Sequence, residues 1–229
     1  MKPHVQAALN AVLTERSTGT RRKGTPAVSD WDSLRLHRGV LDTPDGSIPV
    51  ERIGKGMFAT VYRATEPPRD VYAFTDDDIY DKEIAASVYE DDKTNPHVPA
   101  VERFGHTHDQ SVWKMPHYRT PLRKSDSPEA WATYKVMEQC RDAATDAPNS
   151  KQRSGYQINE QALSCARLLV RNKQVLDALE AFKNTAANYG EDYVFEFAPR
   201  NLATDAKGNL VFLDVLFDEA ERKKRLRRK

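Results

Sequence analysis

Asn201 and Asp214 close the two ends of a stretch that has few ways to fold. Between them, Leu202, Leu210, Phe212 and Leu213 flank a Gly208-Asn209 corner whose residues tolerate positive φ, so a tight β-hairpin is expected. Such a hairpin brings its two ends together. An amide oxygen and a carboxylate placed side by side can grip one Mg²⁺, which takes oxygen ligands and completes its shell with water and phosphate. Far upstream, Gly54-Lys55-Gly56-Met57-Phe58-Ala59-Thr60-Val61-Tyr62 reads as a glycine hairpin able to lay backbone amides over phosphates. The pair of features points to a cleft for a nucleotide and a metal ion.

The remaining segments alternate between strand and helix signals. Residues 5–13 have helical spacing, and residues 17–26 have nothing to bury and read as a linker. Val40-Leu41 and Ile48 to Val50 flank a turn-rich loop at 42–47 and open a sheet. A short strand is expected over 70–75. A helix is expected over 77–89, where Tyr80, Ile84 and Val88 make a packing stripe. Two more strands are expected over 98–104 and 111–115, and long helices over 128–147 and 160–188, with Leu168 and Leu169 counted on a buried side. The fold class is therefore α+β.

The order of these parts, a glycine-rich loop, an acidic helix, a connecting strand, Asn201 and then Asp214, resembles the protein-kinase fold over residues 48–218. In its compactness and its basic end the chain is similar to the early host-shutoff serine/threonine kinases of short-tailed bacteriophages. The resemblance implies a bilobal fold with a small antiparallel-sheet lobe at 31–115 and a reduced, mainly helical lobe at 116–218; an N-terminal helix and flexible linker over 1–30 precede it and a basic tail over 219–229 follows. It also implies ATP and Mg²⁺ as cofactors. Gly54 and Gly56 match the first two loop glycines, with Lys55 between them, Phe58 at the tip and Ala59 in place of the third glycine. Val61 and Ala73 would line the adenine pocket, Met115 and His117 would meet the adenine edge, and Glu83 matches the helix carboxylate. Asn201 and Asp214 would be the metal ligands, and Glu196 takes the place of the catalytic base.

Departures from the family pattern are as informative as the matches. The strand position that should carry the phosphate-anchoring Lys holds Ala73 or Thr75, neither of them charged. Lys55, Arg63 and Lys82 are the candidate replacements. Glu196 stands where the family has Asp, and the extra methylene shifts its oxygens by a distance that can cost about 100-fold in rate. Val215-Leu216 follows Asp214 where the family has Phe-Gly, and only 15 residues remain after it, so we expect no activation segment and no ordinary peptide-binding lobe. Three activities stay open: phosphoryl transfer to a host protein, AMP transfer, and a pseudokinase serving as an interaction or inhibitor module.

Charge and cysteine content add limits. Lys+Arg 35 against Asp+Glu 34 leaves a net charge of +1, so no global field draws the chain to nucleic acid. The Arg222 to Lys229 run is locally basic, which suits either a solvated end or a contact with nucleic acid or an acidic protein. Cys140 and Cys165 lack metal spacing, and no run is apolar enough to span a bilayer, so a cytoplasmic protein without a membrane partner is expected. The six His residues are scattered, with no zinc pattern.

Overall fold

Alternation along single strands decides how the sheet is used. In a computed structural model, which describes residues 34–218 apart from 57–58, 77–79, 149 and 191, seven antiparallel strands form a curled sheet in the order β1-β2-β3-β4-β5-β7-β6. They are β1 Arg35–His37, β2 Val40–Thr43, β3 Gly46–Lys55, β4 Ala59–Ala64, β5 Val71–Asp76, β6 Glu102–His106 and β7 Gln110–Met115. On the central β5, Val71 and Ala73 join the core shared with the helices. Their neighbours Tyr72 and Phe74 join a second cluster with Leu34, Leu41, Val50 and Val112 on the other face. A strand buried on both faces loses the polar alternation of an edge strand, as this one does. Gly105 belongs to that second cluster's packing, because a Cβ there would lie 2.5 Å from Leu34 Cδ1.

Four helices occur among the described residues: α1 Asp81–Asp91, α2 Pro128–Thr145, α3 Gly155–Leu169 and α4 Lys173–Ala186. Ser127 caps α2 by accepting from the Ala130 amide, with Pro128 at the first helical position. Ser154 and Gln157 form a reciprocal capping box on α3. The expected helix over 160–188 is in fact two helices. Asn172 caps α4 through the Val175 amide, and Val170 leaves the helical region, so the chain turns without Gly or Pro. One consequence is that Leu168 and Leu169 are 85% and 59% exposed rather than buried. The strand expected from residue 98 begins at Glu102, because the Val98 amide bonds Asn95 O and the Val101 amide bonds Pro99 O in consecutive turns. The helix expected over 77–89 runs from Asp81 to Asp91, and α2 ends two residues before 147, while the helical spacing of residues 5–13 lies outside the described residues.

Beyond α4 the chain runs through β8 Tyr193–Phe195, a 3₁₀ turn Pro199–Asn201, β9 Leu202–Thr204, β10 Leu210–Phe212 and β11 Leu216–Asp218. The anticipated hairpin is β9-β10, with Leu202 opposite Phe212 and Leu210 opposite Thr204. Its corner holds Gly208 at φ +83°, and the Asp205 carboxylate accepts from the Lys207 and Asn209 amides at 2.8 Å each. β11 returns to pair with β8. The sheet, the helices and these hairpins belong to one compact unit. The leader over 1–30 and the basic tail over 219–229 lie outside the described residues.

Candidate functional site

One cavity of about 1290 Å³ gathers most of the residues singled out from the sequence. Gly54, Lys55, Gly56, Val61, Ala73, Met115, His117, Glu196, Asn201 and Asp214 all border it. Phe58 lies outside the described residues. The β3-β4 hairpin supplies the glycines, with Gly54 opposite Val61 and the Gly56 amide bonded to Ala59 O at 2.8 Å. Neither glycine has positive φ, and a Cβ on either would touch its nearest atom at no less than 3.7 Å. Packing among the described residues therefore does not by itself require glycine at either position.

Asn201 and Asp214 converge through the backbone. The Asn201 carbonyl accepts from the Leu213 and Asp214 amides at 3.0 and 3.1 Å, tying the 3₁₀ turn to the segment after β10. The side-chain nitrogen of the buried Asn201 donates to Glu196 Oε2 at 3.0 Å, so its amide oxygen is the atom left for a cation. Glu196 is held on its other oxygen by Arg200 at 2.7 Å, and its amide bonds Val215 O at 2.8 Å. The carboxylate is thus fixed at the cavity wall.

Of the three candidate cations, Lys55 and Lys82 border the cavity, and Lys82 reaches it from helix α1. Lys82, its side chain only 9% exposed, donates to Leu213 O at 2.8 Å and stands 3.2 Å from Asp81 Oδ2 and 3.6 Å from Asp214 Oδ1. Burial disfavours its ammonium, but Asp214 and Asp81 outweigh burial and raise the Lys82 pKa. Burial likewise opposes the Asp81 carboxylate, yet Lys82 and a hydrogen bond from Asp214 hold Asp81 below its ordinary range. Asp214 moves the other way: confinement raises it, Lys82 pulls it down, and the neighbouring Asp81 and Glu196 push it up again. Although 46% of its side chain is solvent-accessible, Asp214 borders the cavity together with three other carboxyl groups, Asp81, Glu196 and Asp218.

Other candidates are placed elsewhere. Glu83, expected at the nucleotide, is exposed and does not border the cavity. A helix turns about 100° per residue, so a helix that aims Lys82 inward carries Glu83 away. Arg63 is engaged by Glu51 across the β3-β4 pair, at 3.0 Å from its Nε, and does not line the cavity. His117 Nε2 lies 3.5 Å from Arg63 Nη1, and its pKa is lowered by burial and by Arg63 and Arg69, which keeps the ring neutral. Cys140 is buried and its thiol is pushed up to about 12 by burial and by Cys165, which makes it inert.

The sequence reading missed Asp81 and Arg200. Asp81 has a second mark of interest: its Oδ1 is buried with no hydrogen-bond partner among the described residues. The available signals were the Asp81-Lys82 pair at a helix start and the adjacency of Arg200 to Asn201. Among the described residues no three His, Cys, Asp or Glu side chains form a metal cage. A Mg²⁺ held by Asp214 and Asn201, with its shell completed by phosphate and water, fits this donor set. The apolar wall of Val61, Ala73 and Met115 suits a flat base. No family model matches the chain, and no curated protein sequence is significantly similar to it. No helix among the described residues is long and apolar enough to cross a membrane.

Proposed function

We propose that this chain is a compact, kinase-like phosphotransferase that uses ATP and Mg²⁺ to modify Ser or Thr of a protein acceptor. Its resemblance to phage host-shutoff kinases makes a host protein in the cytoplasm the acceptor of choice. The observation that carries the reading is Lys82. Without a cation the glycine hairpin and the two metal ligands would offer nothing to neutralise phosphate charge, and Lys82 brings a buried ammonium to within 3.6 Å of Asp214. Asn201 and Asp214 would hold the metal ion, Gly54 and Gly56 would admit the phosphates, and Val61, Ala73 and Met115 would enclose the base. Glu196 would accept the proton of the acceptor hydroxyl.

A second reading, an impaired pseudokinase acting as an interaction module, is favoured by one feature. Both Glu196 oxygens are already engaged, by Asn201 and by Arg200, which leaves the base less free than a substrate hydroxyl needs. Incubation of the protein with ATP labelled in the γ-phosphate and, separately, in the α-phosphate separates the cases. Label from the γ position on protein, lost in Asp214→Asn, supports phosphotransfer. Label from the α position would indicate AMP transfer, and bound but untransferred nucleotide would indicate the pseudokinase.

A further inference from the structure

The cavity is larger than a nucleotide and its cation need, since drug-sized ligands occupy roughly 300–1,000 Å³. Its sheet-side wall is apolar. A different wall is formed by α2 and by the connection to α3, where Arg141, Ser150 and Arg153 border the same space. Glu196 and Arg200 border it too, so the proposed base shares one cavity with this basic wall.

We propose that this wall is the acceptor side of the site and that it takes an acidic peptide, Arg141 and Arg153 receiving carboxylate side chains next to the hydroxyl that meets Glu196. The inference rests on the phosphotransfer reading above and names its substrate class.

Both arginines are partly sheltered, unlike the fully solvated arginines of an ordinary surface. The Arg141 side chain is 24% exposed, and Arg153 is of intermediate burial. Each commits little of its donor capacity to the protein. Arg141 Nε faces Asp142 Oδ1 at 2.7 Å, as an ion pair without an aligned hydrogen bond, and Arg153 Nη1 donates to Gln161. A guanidinium has five N–H donors in a planar fork that matches a carboxylate, so both keep donors for a ligand. Ser150 adds a hydroxyl on the same wall. A peptide suits the space better than a nucleic acid strand. Glu196, Asp218, Asp81 and Asp214 all border the cavity and would repel a continuous phosphate backbone, whereas separate carboxylate side chains can reach the two arginines and leave the peptide backbone clear.

The test is fluorescence anisotropy with the full chain and three labelled probes: a Ser-containing peptide flanked by Asp and Glu, the same peptide with Asn and Gln, and a single-stranded oligonucleotide of equal charge. The acidic peptide should bind about tenfold tighter than its neutral counterpart, and Arg153→Ala and Arg141→Ala should each remove about tenfold of affinity. Should Arg141→Ala fail to fold, as judged by circular dichroism, Arg153→Ala carries the test. Equal binding of the two peptides, unchanged affinity in the folded arginine variants, or an oligonucleotide that binds as well as the peptide would overturn the proposal. A thermal shift with ATP and Mg²⁺ on the same samples keeps the two readings apart. A shift without peptide preference removes only the acceptor site, and a peptide preference without a shift supports the acidic-peptide site while removing nucleotide chemistry.

Discussion

Two buried lysines on two helices behave differently, and the contrast separates a structural charge from a chemical one. Lys183 on α4 is 3% exposed, pairs with Glu160 of α3 and lies 5.0 Å from the centre of the Tyr156 ring. Its charge is met by one carboxylate and one aromatic face between packed helices. Lys82 on α1 is nearly as buried, yet it is one positive charge beside the carboxyl groups of Asp81 and Asp214, with Glu196 close by, and it opens on a cavity. Burial and the neighbouring carboxyl groups push Asp214 up to about 8, so Lys82 meets one carboxylate and one largely protonated acid that a bound cation would ionise, whereas the pair between helices is already balanced and only has to avoid being broken.

The largest effect expected is on chemistry at the first lysine. Lys82→Met should lower phosphate transfer by about 10²–10³-fold in a γ-phosphate assay, the usual cost of removing one preorganised charge stabiliser. A variant that retains wild-type turnover would place Lys82 in the same structural class as Lys183.

Next in size is stability at the second lysine. Glu160→Ala leaves the Lys183 ammonium buried without its carboxylate, which should cost about 3 kcal/mol and lower the melting temperature by roughly 6–12 °C. Nucleotide binding measured well below the transition should be unchanged. If this variant instead lost nucleotide binding at full stability, the two regions would not be separable.

His97 sharpens the contrast from a third side, as a buried base that no carboxylate bonds. Its Nδ1 donates to Leu210 O at 2.6 Å and its Nε2 accepts from Asn172 Nδ2 at 3.2 Å, so the neutral ring is satisfied at both nitrogens. Burial lowers its pKa from the ordinary 6.5. A depressed folded-state pKa gives stability that is complete above the unfolded value and is lost as pH falls through the folded one. Unfolding free energy should therefore decline below pH 6.5, by up to about 1.4 kcal/mol per pH unit, until the folded pKa is passed. Urea titrations of wild type and His97→Asn across pH 5–7 check this, and parallel pH curves would contradict it.

How far the sequence led can be judged from the same residues. The β9-β10 hairpin and the glycine hairpin were legible because Gly208, Asp205 and the flanking apolar residues act locally. The convergence of Asn201 with Asp214 followed from that local geometry. Lys82 could be named only as one of three cations, because what selects it is its contact with Leu213 and Asp214, more than a hundred residues away in the chain. Glu83 differs for the opposite reason: on a helix one residue turns the side chain by about 100°, enough to carry Glu83 out to solvent while Lys82 points inward. The break between α3 and α4 was missed because Asn172 caps a helix without Gly or Pro to announce it.

The smallest effect concerns the glycine hairpin. Gly54→Ala should change stability by less than about 1 kcal/mol, since the new methyl meets only Val61 Cβ at 3.8 Å. Its ATP affinity should nonetheless fall, as read by titration calorimetry.

The most direct test is a thermal shift with ATP and Mg²⁺ on wild type, Asp214→Asn and Lys82→Met. At 100 times the dissociation constant the wild type should gain about 2.7 kcal/mol, and only when the metal is present. Both variants should lose most of that gain. A wild-type protein indifferent to ATP and Mg²⁺, or variants that shift as the wild type does, would contradict a nucleotide and metal site built on Lys82 and Asp214.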